Sequence, residues 1–333
     1  MALFSAGVST PAFAQVGLED LLSKPVGRIH FNSLTPKAYY FLLKRTADVQ
    51  KTVVGGTLLF PDNITGPVPA MVISHGSGGV MSNITERWTP LLLKMGIAVF
   101  VVDSFGARGI ADTVSNQSQL SFAVDIADAF SALKLLATDP RIDPQRIGNI
   151  GFSRGGSVAV NTLVERLRKS VIPKGDTKFA AHVAFYPACD YAFSGDSSAF
   201  TNTPILFELG EKDDYVSTAL CVNYAQKLKA VLPKVVINVY EGAYHDFDAL
   251  LYGRTWLANA VSNIKCSGVS VDPDTLKVVD LATNITYPGW DEYLKEVKSC
   301  MSRGGTIEGN AQVAKESEAN VQAFLTLAFG LIR

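Results

Sequence analysis

The sequence predicts an α/β protein with an open, doubly wound, mostly parallel sheet in one large domain. Apolar runs of strand length alternate with segments of helical spacing roughly every 25–40 residues, as parallel βαβ units require. The runs are apolar throughout, which indicates strands that are covered on both faces. Polar and glycine-rich residues follow directly after several of these strands, where open α/β sheets carry their chemistry.

Each element has its own signal. Residues 49–60 predict an early strand, paired antiparallel with the segment near Ile29. Buried strands are predicted at 68–74, 97–102, 146–150, 179–186, 204–209 and 235–240, and helices at 88–95, 122–137, 157–167, 218–231 and 311–331. Residues 266–288 are predicted to form an irregular stretch and residues 104–119 a polar loop, and the loop 190–203 is too short for a large lid domain.

Composition excludes several functions. Hydrophobic residues make up 47% of the 333 residues and charged residues 18%, which is ample for a core. The formal net charge of -1 argues against a nucleic-acid-binding surface. No apolar run approaches the ~18 residues that span a bilayer.

Residues 1–22 are set apart from the domain at 23–333. The small, apolar start ends with Ala12-Phe13-Ala14, which resembles a signal-peptidase site, but no Lys or Arg precedes Lys24. This stretch is therefore either the remnant of an export signal or a flexible tail. We expect a periplasmic or secreted protein, with a cytoplasmic one as the alternative.

The four cysteines allow two disulfides in an oxidising compartment, with three possible pairings. None has the CxxC spacing of zinc or dithiol sites. For an exported protein the preferred pairs are Cys189–Cys221 and Cys266–Cys300. For a cytosolic enzyme the alternative is four buried thiols.

The stretch Gly151-Phe152-Ser153-Arg154-Gly155-Gly156 stands between a predicted strand and a predicted helix. Gly-x-Ser-x-Gly in that position is the nucleophile elbow, a tight turn that holds the serine hydroxyl above the sheet edge. Because the pattern alone also arises by chance, the residues around it must decide whether Ser153 is a nucleophile.

A serine nucleophile needs a general base, and the chain offers four histidines. His30 lies before the main sheet and His182 lies inside a predicted strand, so we expect structural roles for both. His75 precedes a glycine-rich loop and suits a backbone role. His245 remains, on a loop after the last strand.

The orienting acid must lie between the serine and the histidine. The order Ser153, then Asp213 or Asp214, then His245 is the one that accompanies this elbow on this kind of sheet. Asp213 follows its strand sooner and is preferred, and Asp214 is then a turn-stabilising carboxylate.

The oxyanion of an acyl transfer is held by backbone N–H groups. One is expected from Arg154, the residue after the nucleophile, and one from Ser77 in the loop His75-Gly76-Ser77-Gly78-Gly79. That loop lacks the endings of phosphate- and dinucleotide-binding loops. We expect no cofactor and no metal.

These residues resemble the α/β-hydrolase superfamily and, within it, the dienelactone hydrolase family, over residues 53–245. The resemblance is carried by Ile73 to Gly79, Asp103 to Gly109, the elbow, Gly210 to Val216, and His245-Asp246-Phe247. It implies an α/β-hydrolase fold and supports Asp213 as the acid, because a valine-like residue follows it at the expected distance.

The chain departs from that family's namesake, which has a cysteine nucleophile where this chain has Ser153 and a glutamate where it has Gly76. The namesake also holds its substrate carboxylate with two arginines. Arg108 matches the first, but Ala249 stands at the second. The resemblance therefore implies a serine esterase rather than a dienelactone hydrolase.

Four residues are predicted to bind the small-molecule ester: Arg108, Tyr186, Tyr244 and Phe247. The alternatives are a structural salt bridge for the arginine and core positions for the aromatic residues. Two other functions fit the same motifs, namely a peptidase or acyltransferase with this triad and a non-catalytic binding scaffold.

Overall fold

A computed structural model describes residues 16–232, 234–297 and 300–331 of the chain. The strands are β1 (Gly27–Thr35), β2 (Gln50–Leu59), β3 (Val68–Ser74), β4 (Ala98–Asp103), β5 (Ile142–Phe152), β6 (His182–Phe185), β7 (Tyr191–Phe193), β8 (Ile205–Gly210), β9 (Val235–Tyr240), β10 (Thr255–Trp256), β11 (Val261–Ser262), β12 (Val269–Val271), β13 (Val278–Asp280), β14 (Thr286–Tyr287), β15 (Ser302–Arg303) and β16 (Thr306–Ile307). The helices are α1 (Tyr39–Lys44), α2 (Thr89–Lys94), α3 (Phe122–Leu136), α4 (Arg154–Asn161), α5 (Glu165–Val171), α6 (Thr218–Val231), α7 (Trp290–Val297) and α8 (Ala311–Phe329).

Eight strands form the central sheet in the order β1-β2-β4-β3-β5-β6-β8-β9. The strands from β4 to β9 in that order are parallel, whereas β2 pairs antiparallel with both β1 and β4. The predicted doubly wound α/β-hydrolase sheet and its antiparallel edge hairpin are thus confirmed. The parallel strands bring their carboxyl ends to one edge, which is where the polar loops lie.

Both faces of the sheet are buried, as the apolar strands predict. In β3, Ala70 and Val72 pack on one face with α3, α4 and α6, and Met71 and Ile73 pack on the other with α2 and α8. Each fully buried aliphatic side chain of this kind stabilises the fold by about 1.5–3 kcal/mol. The two cores hold the strand ends in fixed positions.

The helix after the elbow differs from its prediction. It begins at Arg154 and ends at Asn161, and a second helix follows from Glu165. Between them Val164 adopts an extended conformation and forms a β-bridge with Phe200. This pairing with a residue distant in the sequence interrupts a helix that residue spacing alone predicts to be continuous.

Residues 253–297 and 300–310, which we term the C-terminal segment, form short strands and one helix. β12, β13 and β14 lie within residues 266–288, which were predicted to be irregular. β10 pairs with β16, β11 with β15, and β12 with both β7 and β13. The Val261 N–H donates to the Val114 carbonyl at 2.9 Å, and the Glu308 N–H to the His245 carbonyl at 3.0 Å. The C-terminal segment therefore packs against the loops at the carboxyl edge of the sheet.

Both predicted disulfides are present. Cys189 pairs with Cys221, and Cys266 pairs with Cys300. The first joins the chain after β6 to α6, and the second closes a loop inside the C-terminal segment. Disulfides of this kind are typical of proteins in oxidising compartments.

Two residues that precede the predicted domain boundary at residue 23 contact the rest of the fold. The Leu18 N–H donates to the His30 carbonyl at 2.7 Å, and the Leu21 side chain is fully buried. The domain therefore includes both residues, while the Ala12–Ala14 site lies outside the described residues. In the part of the chain that the structure describes, no helix has the length and apolar character needed to cross a membrane.

Candidate active site

Ser153 stands on a strained turn between β5 and α4. Its backbone has φ 52° and ψ -112°, a region that residues with a side chain rarely adopt. A Cβ at Gly151 would lie 1.9 Å from the Gly155 carbonyl oxygen, and one at Gly155 would lie 1.9 Å from that of Ser74. Because only glycine fits both positions, the turn is tight and leaves Ser153 half-buried above the sheet edge.

His245 contacts Ser153 through one ring nitrogen and Asp213 through the other. Its Nε2 lies 2.8 Å from Ser153 Oγ, and its Nδ1 lies 2.7 Å from Asp213 Oδ2. The three residues follow β5, β8 and β9, whose carboxyl ends meet at this edge of the sheet. The fold thereby joins a hydroxyl, an imidazole and a carboxylate that lie far apart in the sequence.

The two neighbouring aspartates point in different directions. Asp213 faces His245 with one carboxylate oxygen, while the other accepts two backbone N–H groups of the following turn at 2.9 and 3.0 Å. Asp214 accepts the N–H and the hydroxyl of Thr306 at 2.6 and 2.8 Å. Asp213 is thus the aspartate that contacts the imidazole, and Asp214 anchors the C-terminal segment.

The surroundings of His245 set its protonation. Burial lowers the pKa of this imidazole, but the Asp213 carboxylate raises it by charge and by hydrogen bonding, and Asp246 and Asp248 add to that effect. The net result is a pKa above the ordinary 6.5. The ring therefore takes up a proton readily, and in its neutral form Nδ1 donates to Asp213 and leaves Nε2 as the acceptor facing Ser153.

Tyr186 and Phe247, which were predicted to contact substrate, are both buried in the structure. The Tyr186 ring lies 4.6 Å from the His245 ring, and its hydroxyl donates to the buried carboxylate of Asp248. Phe247 is fully buried. Asp248 also accepts the Trp88 Nε1–H at 2.7 Å, so one buried carboxylate binds both the Trp88 and the Tyr186 side chains.

Arg108, predicted to hold a substrate carboxylate, is engaged within the fold. Its two terminal nitrogens lie 2.7 and 3.0 Å from the carboxylate oxygens of Asp128, which is fully buried. The remaining N–H groups reach Ser104 O, Leu34 O and Thr35 Oγ1 at 2.7 to 3.2 Å. All five donors of the guanidinium are used within the fold, which leaves none for a substrate carboxylate in this structure.

Tyr244, the fourth predicted substrate-binding residue, is half-buried next to His245. The guanidinium of Arg254 lies over its ring, 4.7 Å from the ring centre. The hydroxyl-bearing ring sits on the loop that carries the imidazole, so a contact with substrate stays a prediction for this residue.

The two residues predicted to stabilise the oxyanion flank Ser153. Arg154 opens α4 directly after Ser153. The loop that carries Ser77 passes beside Ser153, since a Cβ at Gly76 would lie 3.6 Å from Ser153 Cβ. His75 supports this loop: its Nε2 accepts the Ser104 N–H at 3.2 Å and its Nδ1 lies 2.8 Å from Gly76 O.

The other two histidines lie in strands, which was expected for His182 but not for His30, placed before the main sheet by the sequence. His30 belongs to β1, opposite Gly55 of β2. His182 is fully buried between Thr162 and Thr203, and burial lowers its pKa to about 3. An imidazole with that pKa stays neutral and serves the core.

Three buried acids around the site were missed at the sequence level. Asp125 and Asp128 are buried on α3, where they bind Arg154 and Arg108 respectively. Two acids three residues apart in a mostly apolar helix indicate buried ion pairs. Asp248 gives the same sign between Phe247 and Ala249.

Comparison with known proteins gives the same family as the residues. The model of the dienelactone hydrolase family matches residues 54–253. A protein of Bradyrhizobium sp. named "Probable 2-oxo-3-(5-oxofuran-2-ylidene)propanoate lactonase" is 23% identical over 192 residues, covering 55% of this chain and 75% of that protein. "Lipase 1" of Moraxella sp. (strain TA144) is 26% identical over 220 residues, covering 63% and 61%.

Among solved structures, esterase 2 of Thermogutta terrifontis phosphorylated by paraoxon is 20% identical, with a TM-score of 0.46 over 58% of this chain and 79% of that one. The family match extends over more than half of the 333 residues and includes the elbow, both aspartates and His245. The chain therefore belongs to the dienelactone hydrolase family.

Proposed function

We propose that this hydrolase cleaves carboxylic esters with Ser153 as nucleophile, His245 as general base and Asp213 as the acid that orients the imidazole. The observation that carries the proposal is the continuous hydrogen-bond chain from Ser153 Oγ through His245 to Asp213. A serine hydroxyl is a weak nucleophile near neutral pH, and such a chain is what activates it.

In the acylation step, His245 Nε2 takes the proton of Ser153 Oγ as the oxygen attacks the acyl carbonyl. The carbonyl oxygen becomes the oxyanion, and the backbone N–H groups of Ser77 and Arg154 are its proposed donors. The Asp213 carboxylate stabilises the imidazolium that forms. When the tetrahedral intermediate collapses, the imidazolium returns its proton to the departing alcohol.

In the deacylation step, the same residues act on water. His245 Nε2 takes a proton from a water molecule, whose oxygen attacks the carbonyl carbon of the acyl-serine. Collapse of this second intermediate releases the carboxylic acid, and the proton returns from the imidazolium to Ser153 Oγ. The raised pKa of His245 favours the charged state that both steps pass through.

A general ester is a better substrate than a dienelactone. Because Arg108 is fully engaged and alanine stands at 249, these two positions do not supply an arginine pair to hold a substrate carboxylate. Glycine at position 76 also replaces the glutamate of the family's namesake. The names of the matched lactonase and lipase also denote cleavage of ester bonds. With its two disulfides, the enzyme is proposed to work in the periplasm or outside the cell.

The test uses short p-nitrophenyl esters with wild type and Ser153→Ala. Loss of the nucleophile is expected to lower kcat by roughly 10⁶. A fluorophosphonate probe is expected to label wild type and not the variant. Comparable ester turnover by Ser153→Ala would sink the proposal. Turnover of amides rather than esters would favour a peptidase, and a wild type that the probe does not label would favour a binding scaffold.

A further inference from the structure

Gln117 lies between the side chains of the two residues proposed to hold the oxyanion. It stands on the short helical turn Gln117–Gln119 in the loop after β4, and it is half-buried. Its Nε2 donates to Ser77 Oγ at 2.9 Å, and its Oε1 accepts from Arg154 Nη1 at 3.2 Å. One carboxamide therefore connects the loop after β3 to the first residue of α4.

The Arg154 end of this connection is rigid. The guanidinium is almost fully buried and lies 2.6 Å from the Asp125 carboxylate and 2.6 Å from Leu120 O. It also stacks over the Phe122 ring at 4.1 Å. A side chain held on three sides cannot follow small movements of its neighbours, so it gives Gln117 a fixed anchor.

The Ser77 end is held twice by the same loop. The Thr113 N–H donates to the Ser77 carbonyl at 2.8 Å, while Gln117 holds the Ser77 hydroxyl. The Thr113 hydroxyl lies 3.3 Å from Gln117 Oε1 and fixes the carboxamide from the other side. With both its carbonyl and its side chain bound, Ser77 has little freedom to rotate its own N–H.

We propose that Gln117 is a positioning residue for the oxyanion hole. It sets where the Ser77 N–H points relative to the Arg154 N–H, through the hydrogen bonds from Arg154 to Gln117 and from Gln117 to Ser77. This inference rests on the proposed esterase function. The position of a donor matters because an error of about 1 Å in such a group costs on the order of 10²-fold in rate.

The carboxamide suits this role because it combines an acceptor with a donor. Arg154 offers only N–H groups, so its partner must accept, while the Ser77 hydroxyl receives a donor. Leucine has a similar size and offers neither. Ser77→Ala removes the hydroxyl that Gln117 holds but keeps the backbone N–H proposed to bind the oxyanion.

The test is a double-mutant cycle with Gln117→Leu and Ser77→Ala on short p-nitrophenyl esters. Each single variant is expected to lower kcat by roughly 10- to 100-fold. KM is expected to stay within about twofold, because a misplaced donor acts on the transition state and not on substrate binding. The double variant is expected to be no slower than the worse single variant, since both break one connection.

The matched control is Gln119→Leu on the same turn. Gln119 is exposed and bonds only to carbonyl oxygens of its own loop, so its variant is expected to keep wild-type kcat. Thermal unfolding measures whether each variant is folded. Gln117→Asn provides a second route if Gln117→Leu does not fold, because the shorter amide cannot span from Arg154 to Ser77 and the same loss of kcat is expected.

Three results would overturn the inference: wild-type kcat in folded Gln117 variants, losses confined to KM, or fully additive losses in the double variant. These outcomes differ from failure of the proposed function. In that case wild type itself neither turns over esters nor reacts with the fluorophosphonate probe.

Discussion

Asp213 and Asp214 are adjacent in the sequence but bind different partners. The first contacts His245, which it is proposed to orient, and the second holds Thr306 of the C-terminal segment. Successive side chains of a turn point in different directions, so adjacent carboxylates at a strand end serve different partners. Residue type does not distinguish them, whereas the nearness of Asp213 to the end of β8 does.

The two aspartates make a matched pair of variants. Asp213→Asn is expected to lower kcat by about 10⁴, because the amide no longer fixes the tautomer or stabilises the imidazolium. Asp214→Asn keeps the shape of the turn and leaves kcat near that of wild type. Steady-state kinetics with p-nitrophenyl acetate measures both. Equal losses in the two variants would contradict the assignment of Asp213.

Position along the chain explains some contacts of the candidate site and not others. Ser153, Asp213 and His245 follow strands, and parallel strand ends meet at one edge, so their proximity follows from topology. Arg108 also follows a strand, but its partner Asp128 lies within the helix α3, 20 residues further along the chain. Pairing between distant buried charges depends on helix rotation and packing, which no local spacing encodes.

At the scale of elements, the C-terminal segment is the part that pattern reading missed. Its strands are two or three residues long, too short to show the alternation that identifies a strand. The long apolar strands and helices of the central sheet were predicted well because periodicity needs length. The segment is held instead by hydrogen bonds to other loops and by the Cys266–Cys300 disulfide.

Removal of that disulfide is expected to weaken the whole domain. The paired cysteines are 34 residues apart, and closing a loop of that size stabilises a folded protein by about 2–4 kcal/mol. Cys266→Ala with Cys300→Ala should lower the free energy of unfolding by that amount in urea titrations. As the control, reduction with dithiothreitol should lower the urea midpoint of the double variant less than that of wild type. An unchanged urea midpoint would show that the loop is held without the disulfide.

At the scale of the whole molecule, a buried carboxyl group ties the sheet to its last helix. Glu208 of β8 is fully buried and accepts the hydroxyl of Tyr240 on β9 and the amide of Asn238 at 2.9 Å. Asn320 of α8 donates to that same Tyr240 hydroxyl at 2.8 Å. Burial raises the pKa of Glu208 to about 8, although these hydrogen bonds oppose the change.

This carboxyl group predicts how stability depends on pH. An acid whose pKa is about 8 when folded and 4.5 when unfolded binds its proton more tightly in the folded state. Its contribution to stability is complete below pH 4.5 and is lost as pH rises toward 8. Urea unfolding at several pH values should show wild type losing stability over this range relative to Glu208→Gln, which stays neutral. Parallel curves for the two proteins would contradict the raised pKa.

The helix α8 has a consequence for how the chain folds as it is made. Val321, Leu325 and Phe329 of this helix cover part of one face of the sheet, and every strand of that face precedes α8 in the chain. Until α8 has been synthesised, the part of that apolar face that lies under α8 is uncovered, although α2 already packs on the same face. Transiently exposed apolar surface of this kind makes an incomplete chain prone to aggregation and is what holding chaperones bind.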